Sequence, residues 1–198
     1  TSCSTASRRS KTSSSVVKAG VRALGVAESY RGDTSTLAGV VVRADRVVDG
    51  FAFGSCTVGG TDATDAVADL VDRLDREDVR YVLVAGVALS WYNVLDLYRV
   101  HDRLERPVLS VTFEESDGLL DALEREFSGE ELALRRERFR AQPSRRELVV
   151  NDETVFVRSV GVDEREARDV VRAFTPVGGR PEPLRVARMV ARAADEWR

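Results

Sequence analysis

The apolar positions of this chain change their spacing several times, and each change marks an element. Val21–Val26, Leu37–Arg43 and Arg46–Val58 are dense in Val, Phe and Ala, which suits a pleated, half-buried surface and predicts three strands. Only Ala44-Asp45 separates the second from the third, a gap short enough for a tight hairpin. Ala63, Val67, Leu70, Val71 and Leu74 then recur at i, i+4, i+7, i+8 and i+11, along one face of a helix. Val79–Ala85 is a near-continuous apolar run, as expected of a strand covered on both sides. Asn93–Leu104 is amphipathic at helical spacing, and Pro107–Phe113 is a further buried strand. Two charged helices follow, near Gly118–Phe127 and Glu130–Ala141. Glu147–Val150 and Glu153–Val157 flank Asn151-Asp152, a strong hairpin signal. Asp163–Phe174 and Glu182–Trp197 close the chain as helices.

Three strands able to pair antiparallel, then helix, strand, helix and strand, is the element order of a ribonuclease-H-like core. The predicted fold is therefore α/β, a mixed five-stranded sheet flanked by helices, with a small C-terminal hairpin and further helices. Doubly wound sheets begin in a similar way, so the order alone does not separate the two. A chain of 198 residues suits one domain, here 17–198. Ahead of it, residues 1–16 form a Ser/Thr-rich tail with almost nothing to bury and are expected to be disordered. The tail reads either as a basic arm touching nucleic acid or as dispensable.

Composition narrows the class. At 43% hydrophobic the chain can bury a full core, and no apolar run approaches the ~18 residues that span a bilayer. The start has no apolar stretch of the secretory kind, so a cytoplasmic protein is expected. Cys3 and Cys56 form no CxxC or CxxH pattern, which argues against a zinc site or redox pair. The net charge is −3, but residues 1–18 carry four cations and no acid, leaving −7 on the remainder. Lysine occurs only at 11 and 18, and isoleucine not at all. Such a chain fits a salt-loving cytoplasm or a GC-rich genome. An acidic body disfavours broad nucleic-acid binding at low salt, yet leaves room for a local arginine-lined groove.

In folds of this kind ligands sit at strand ends and helix starts along one sheet edge. Four segments fall there: Gly25-Val26-Ala27-Glu28-Ser29-Tyr30, Gly59-Gly60-Thr61-Asp62-Ala63-Thr64, Leu83–Val87 with Trp91–Asp96 behind it, and Pro181-Glu182-Pro183-Leu184-Arg185. The Gly-Thr-Asp-Ala-Thr run at 60–64, the Gly86…Tyr92-Asn93-Val94-Leu95-Asp96 stretch and Pro-Glu-Pro-Leu-Arg-Val-Ala at 181–187 resemble the archaeal "domain of unknown function 99" family. That family is related to endonuclease V, and some members are described as deoxyuridine-directed endonucleases. The resemblance runs from Lys18 to Arg198 and implies a two-metal phosphodiester hydrolase using Mg²⁺ or Mn²⁺ on deaminated or damaged DNA, with RNA as an alternative.

In the family the first strand typically ends Gly-Ile-Asp-Asp and the fourth carries Leu-Asp-Gly. Here Ala27 and Ala85 stand where those metal-binding aspartates are expected, and alanine cannot ligate a cation. The alternative is a catalytically inactive relative, without a metal, that binds nucleic acid or a protein partner through the same groove. Carboxylates that remain nearby are Glu28, Asp33, Asp62, Asp96 and Glu182. Asp62 and Glu28 are the candidate metal ligands, and with Glu182 the candidate catalytic groups. Asp62 also reads as a helix N-cap, Glu182 as a first-turn acid matched to the helix dipole, and Asp96 as a solvated side chain. Glu28 faces away from residue 27 unless the strand bulges. Arg185 is a candidate phosphate partner or a salt-bridge partner of Glu182 at i+3. Trp91 and Tyr92, with Asn93, are candidate nucleic-acid contacts, stacking on a displaced base or packing in the core. His101, on a charged helix face, is the one histidine available as a general base.

Overall fold

The computed structural model describes residues 17–115 and 118–197. The Ser/Thr-rich segment and Cys3 therefore lie outside the described residues. Three long strands open the fold: β1 (Arg22–Arg31), β2 (Thr34–Arg43) and β3 (Val48–Thr57). They form an antiparallel meander, Arg31 pairing with Thr34 and Thr34 with Thr57. Helix α1 (Ala63–Leu74) leads to β4 (Val79–Val84), and α2 (Leu97–Leu104) leads to β7 (Val108–Thr112), with the two-residue strands β5 (Ala88–Leu89) and β6 (Asn93–Val94) between. Helices α3 (Leu119–Glu126) and α4 (Gly129–Arg140), the hairpin β8 (Arg146–Val150) and β9 (Glu153–Val160), and helices α5 (Glu164–Ala173) and α6 (Glu182–Trp197) complete the chain.

The main sheet runs β3-β2-β1-β4-β7-β9-β8. Its first five strands, with β1, β3, β4 and β7 running in one direction and β2 antiparallel to them, are the expected ribonuclease-H-like core. The C-terminal hairpin does not stand apart. β9 pairs antiparallel with β7, from Val108 opposite Val160 to Thr112 opposite Phe156, and so widens the sheet to seven strands.

Each face of the sheet is closed by helices. Leu24, Leu37, Leu70, Val71, Val82 and Val100 form the core under α1 and α2. Leu83, Leu109, Val157, Val170, Phe174 and Leu184 form the one under α5 and the start of α6. Gly25 lets α6 approach closely, because a Cβ there would lie 2.2 Å from the backbone carbon of Pro183.

Two boundaries differ from the sequence reading in ways that matter. β1 runs on to Arg31 because β2 pairs with it along its whole length, whereas its parallel pairing with β4 stops at Val26–Val84. Glu28 therefore sits inside a strand and just beyond the parallel sheet's carboxyl edge. The helix expected over Asn93–Leu104 starts only at Leu97. Asp96 caps it, accepting from the Arg99 amide at 3.1 Å, so Asp96 is an N-cap rather than a solvated side chain. Asn93 belongs instead to the small β5–β6 ladder.

Candidate nucleic-acid interface

At the carboxyl edge of β1 and β4, the positions expected to carry metal ligands are part of the core. Ala27 is fully buried among Val40, Val42 and Ala187, with Ala85 packed against the same cluster. Pleating turns Glu28 to the opposite face from Ala27. There it accepts a hydrogen bond from the Ser35 hydroxyl at 3.3 Å. Burial raises its pKa above the usual carboxylate range, against the opposing pull of Ser35, the Arg188 charge and the Ser90 backbone.

Asp62 has a different task from the one its position in the sequence implies. It occupies the N-cap of α1 without capping that helix through its side chain. Its carboxylate instead accepts from the Thr57 amide (3.1 Å), the Thr57 hydroxyl (2.9 Å) and the Asn93 amide (2.6 Å). Desolvation pushes its pKa up, but those donors outweigh it and hold the carboxyl below its ordinary value. Asn93 is fully buried, and its side chain also accepts from the Ala63 amide and donates to the Thr57 carbonyl. Each end of the Asn93 amide is thus occupied inside the protein, which removes Asn93 from the candidate nucleic-acid contacts. Asp62 and Asn93 together lock the turn from β3 into α1.

The remaining candidates scatter. His101 holds the Arg106 carbonyl at 2.7 Å through Nδ1 and packs on Gly161, which ties α2 to the segment before β7 and the end of β9. Asp33 is exposed at the β1–β2 turn. Glu182 and Arg185 form a bidentate pair, 2.7 Å at each contact, and the Arg185 guanidinium holds the Glu182 carboxyl below its usual range. Among the described residues no group of three or more His, Cys, Asp and Glu side chains is disposed to hold a metal ion. With alanine at both positions expected to carry aspartate and Asp62 engaged elsewhere, the donor set does not fit a two-metal centre.

What the edge does contain is a cleft of about 1080 Å³ whose described lining holds Arg145, Arg158, Arg180, Arg185, Arg188 and Arg192 together with the carboxylates Glu28 and Glu114. Arg185, Arg188 and Arg192 come from α6, Arg180 from the loop before it, and Arg145 and Arg158 from the β8–β9 hairpin region. Among the described residues Arg180, Arg188 and Arg192 have no carboxylate ion-pair partner. Burial lowers the pKa of Arg180, and the charges of Arg188 and Arg192 lower it further. These arginines give the cleft a local positive charge within a net-acidic chain.

The rim of the cleft is strained. Ser90, Trp91 and Tyr92 take φ values of 41°, 59° and 60°, three consecutive left-handed residues without a glycine. Such backbone costs roughly 1–2 kcal/mol per residue. It is held by the β5–β6 ladder beneath it, by the Gly59 amide donating to the Ser90 carbonyl (2.8 Å), and by the buried Leu89 and Leu95. The turn lifts Trp91 to half exposure and points Tyr92 into the cleft wall, the two rings meeting edge to face at 5.4 Å.

Sequence spacing marks Arg185, Arg188 and Arg192 as one helix face at i, i+3 and i+7, a signal that goes unused when Arg185 is read alone. Arg145 and Arg158 carry no such signal, because only the docking of β9 on β7 brings them here.

The chain thus has a ribonuclease-H-like fold with an arginine-lined cleft at the carboxyl edge of its parallel strands. The sequence model of the family "endonuclease dU" matches residues 19–195, and the chain belongs to that family. The chain is similar to a UPF0215 protein of Pyrobaculum calidifontis, 33% identical over 177 residues, covering 88% of this chain and 97% of the relative. A crystal structure of a protein of unknown function from Archaeoglobus fulgidus superposes with a TM-score of 0.77 at 26% identity, covering 87% of this chain and 97% of that one. Endonuclease V of Ciona intestinalis, solved with a DNA 24mer containing inosine followed by a ribo-adenosine, superposes with a TM-score of 0.60 at 11% identity, covering 89% and 86%. That last likeness is one of fold.

Proposed function

We propose that this chain is a nucleic-acid-binding member of the endonuclease dU family in which metal-dependent cleavage is lost or greatly weakened, acting in the cytoplasm. The observation that carries this reading lies at one edge: buried Ala27 and Ala85 stand where the family resemblance implies metal-binding aspartates, and six arginines line the cleft beside them. Arginine forks match phosphate oxygens two at a time, and they serve binding whether or not a bond is cut. An acidic surface around a basic cleft confines polyanions to that cleft.

The second reading is the nuclease itself, a Mg²⁺- or Mn²⁺-dependent endonuclease on deaminated DNA, and the family match over residues 19–195 favours it. It requires Glu28 to serve as a metal ligand and Asp62 to leave three hydrogen bonds that shape its turn. The test is incubation of folded protein with labelled DNA carrying uracil or hypoxanthine, with Mg²⁺ or Mn²⁺, at low and at multimolar salt. Bound but uncut DNA is the expected result. Nicking that EDTA abolishes would establish the enzyme reading in its place.

A further inference from the structure

We infer that the cleft takes an unpaired nucleic-acid strand, whose bases stack on the guanidinium planes of Arg145, Arg158 and Arg180 while its phosphates meet the edges of Arg180, Arg188 and Arg192. This rests on the reading of the cleft as a nucleic-acid site and names the form of nucleic acid that fits it.

Three of the six arginines lie over phenyl rings that line the same cavity. Arg145 sits 3.9 Å from the centroid of Phe156, Arg180 4.3 Å from that of Phe113, and Arg158 5.3 Å from that of Phe139. Arg145 and Arg158 are also held at their edges by backbone carbonyls, those of Glu114 and Pro143. A guanidinium seated on a ring and tied at its edge is fixed as a plane, so little rotamer freedom remains to be lost on binding. A plane of this kind, or a nearby aromatic ring, is what an unpaired base stacks on. Tyr92 adds a further ring to the wall.

A duplex does not present this combination. Its phosphates face outward, but its base faces are already stacked on one another and cannot meet the ring and guanidinium planes. An extended single strand offers both at once. At about 1080 Å³ the cavity also exceeds the roughly 300–1,000 Å³ usual for a small-molecule ligand, leaving room for more than one nucleotide.

The experiment is fluorescence anisotropy with three labelled probes: a mixed-sequence DNA strand of about 12 nucleotides, within the site size of such grooves, the same strand in a blunt duplex, and an equally long strand of abasic sites. All three are measured in one buffer in which a thermal melt shows the protein folded. The strand with bases is expected to bind about tenfold or more tighter than either other probe. Phe156→Leu keeps apolar bulk but removes the ring, and should weaken the strand with bases several-fold while leaving the abasic strand unchanged. A duplex that binds as tightly as the single strand, or an abasic strand that binds as tightly as one with bases, overturns this inference and leaves a phosphate-binding cleft. If none of the three probes binds, the nucleic-acid reading itself fails and a protein partner takes its place.

Discussion

At Glu28 burial and charge pull against each other. Desolvation raises its pKa, and the Ser35 hydroxyl and Arg188 charge recover only part of the loss. A carboxyl with a raised folded-state pKa binds more protons folded than unfolded, so its contribution to stability falls as pH rises from the ordinary carboxylate range through the raised value. Glu28→Gln removes the charge and keeps the shape. Its melting temperature should exceed that of the parent near neutral pH, and the difference should vanish below about pH 4, where the unfolded carboxyl is itself protonated. A variant less stable than the parent at neutral pH would mean that the attraction of Arg188 outweighs burial. Single residues also mark where sequence reading stops. That Ala27 and Ala85 cannot bind metal is legible from the letters alone. That Asp62 and Asn93 are spent on one another is not, because 31 positions separate them and only the docking of the β5–β6 loop brings them together.

Among the elements, α6 has the largest part in the site, since it seals Ala27 beneath it and presents three arginines beside it. Its placement depends on the missing side chain at Gly25. In Gly25→Ala the added methyl would meet the Pro183 backbone at 2.2 Å, and neither strand nor helix start can yield cheaply. We expect a loss of about 2–3 kcal/mol, in line with overpacked cores, read by urea denaturation with an unchanged m-value. A change below about 0.5 kcal/mol would show that α6 docks elsewhere. The elements themselves were largely readable, because strong periodicity and caps fix type and order. Their ends were not: β1 gains five residues beyond Val26 through pairing with β2, although Ala27-Glu28-Ser29 has weak strand preference of its own. The role of the β8–β9 hairpin was equally hidden. Its turn is written in Asn151-Asp152, both left-handed here, but nothing local says that β9 will pair with β7 and carry Arg158 into the cleft.

Over the whole molecule, a net-acidic chain brings six arginines to one edge, around a single cleft. In the proposed function those arginines hold phosphates. The most direct test is the salt dependence of binding for a labelled single strand, measured for the parent and for the triple variant Arg180→Gln, Arg188→Gln, Arg192→Gln. For single strands the slope of log K against log salt is about −0.7 per neutralised phosphate, so the variant should bind more weakly with a slope shallower by about 2. A thermal melt confirms that the variant is folded: it loses charges that repel Arg180 and also the attraction of Arg188 to Glu28. An unchanged slope in a folded variant would place nucleic-acid binding somewhere other than this cleft and contradict the account.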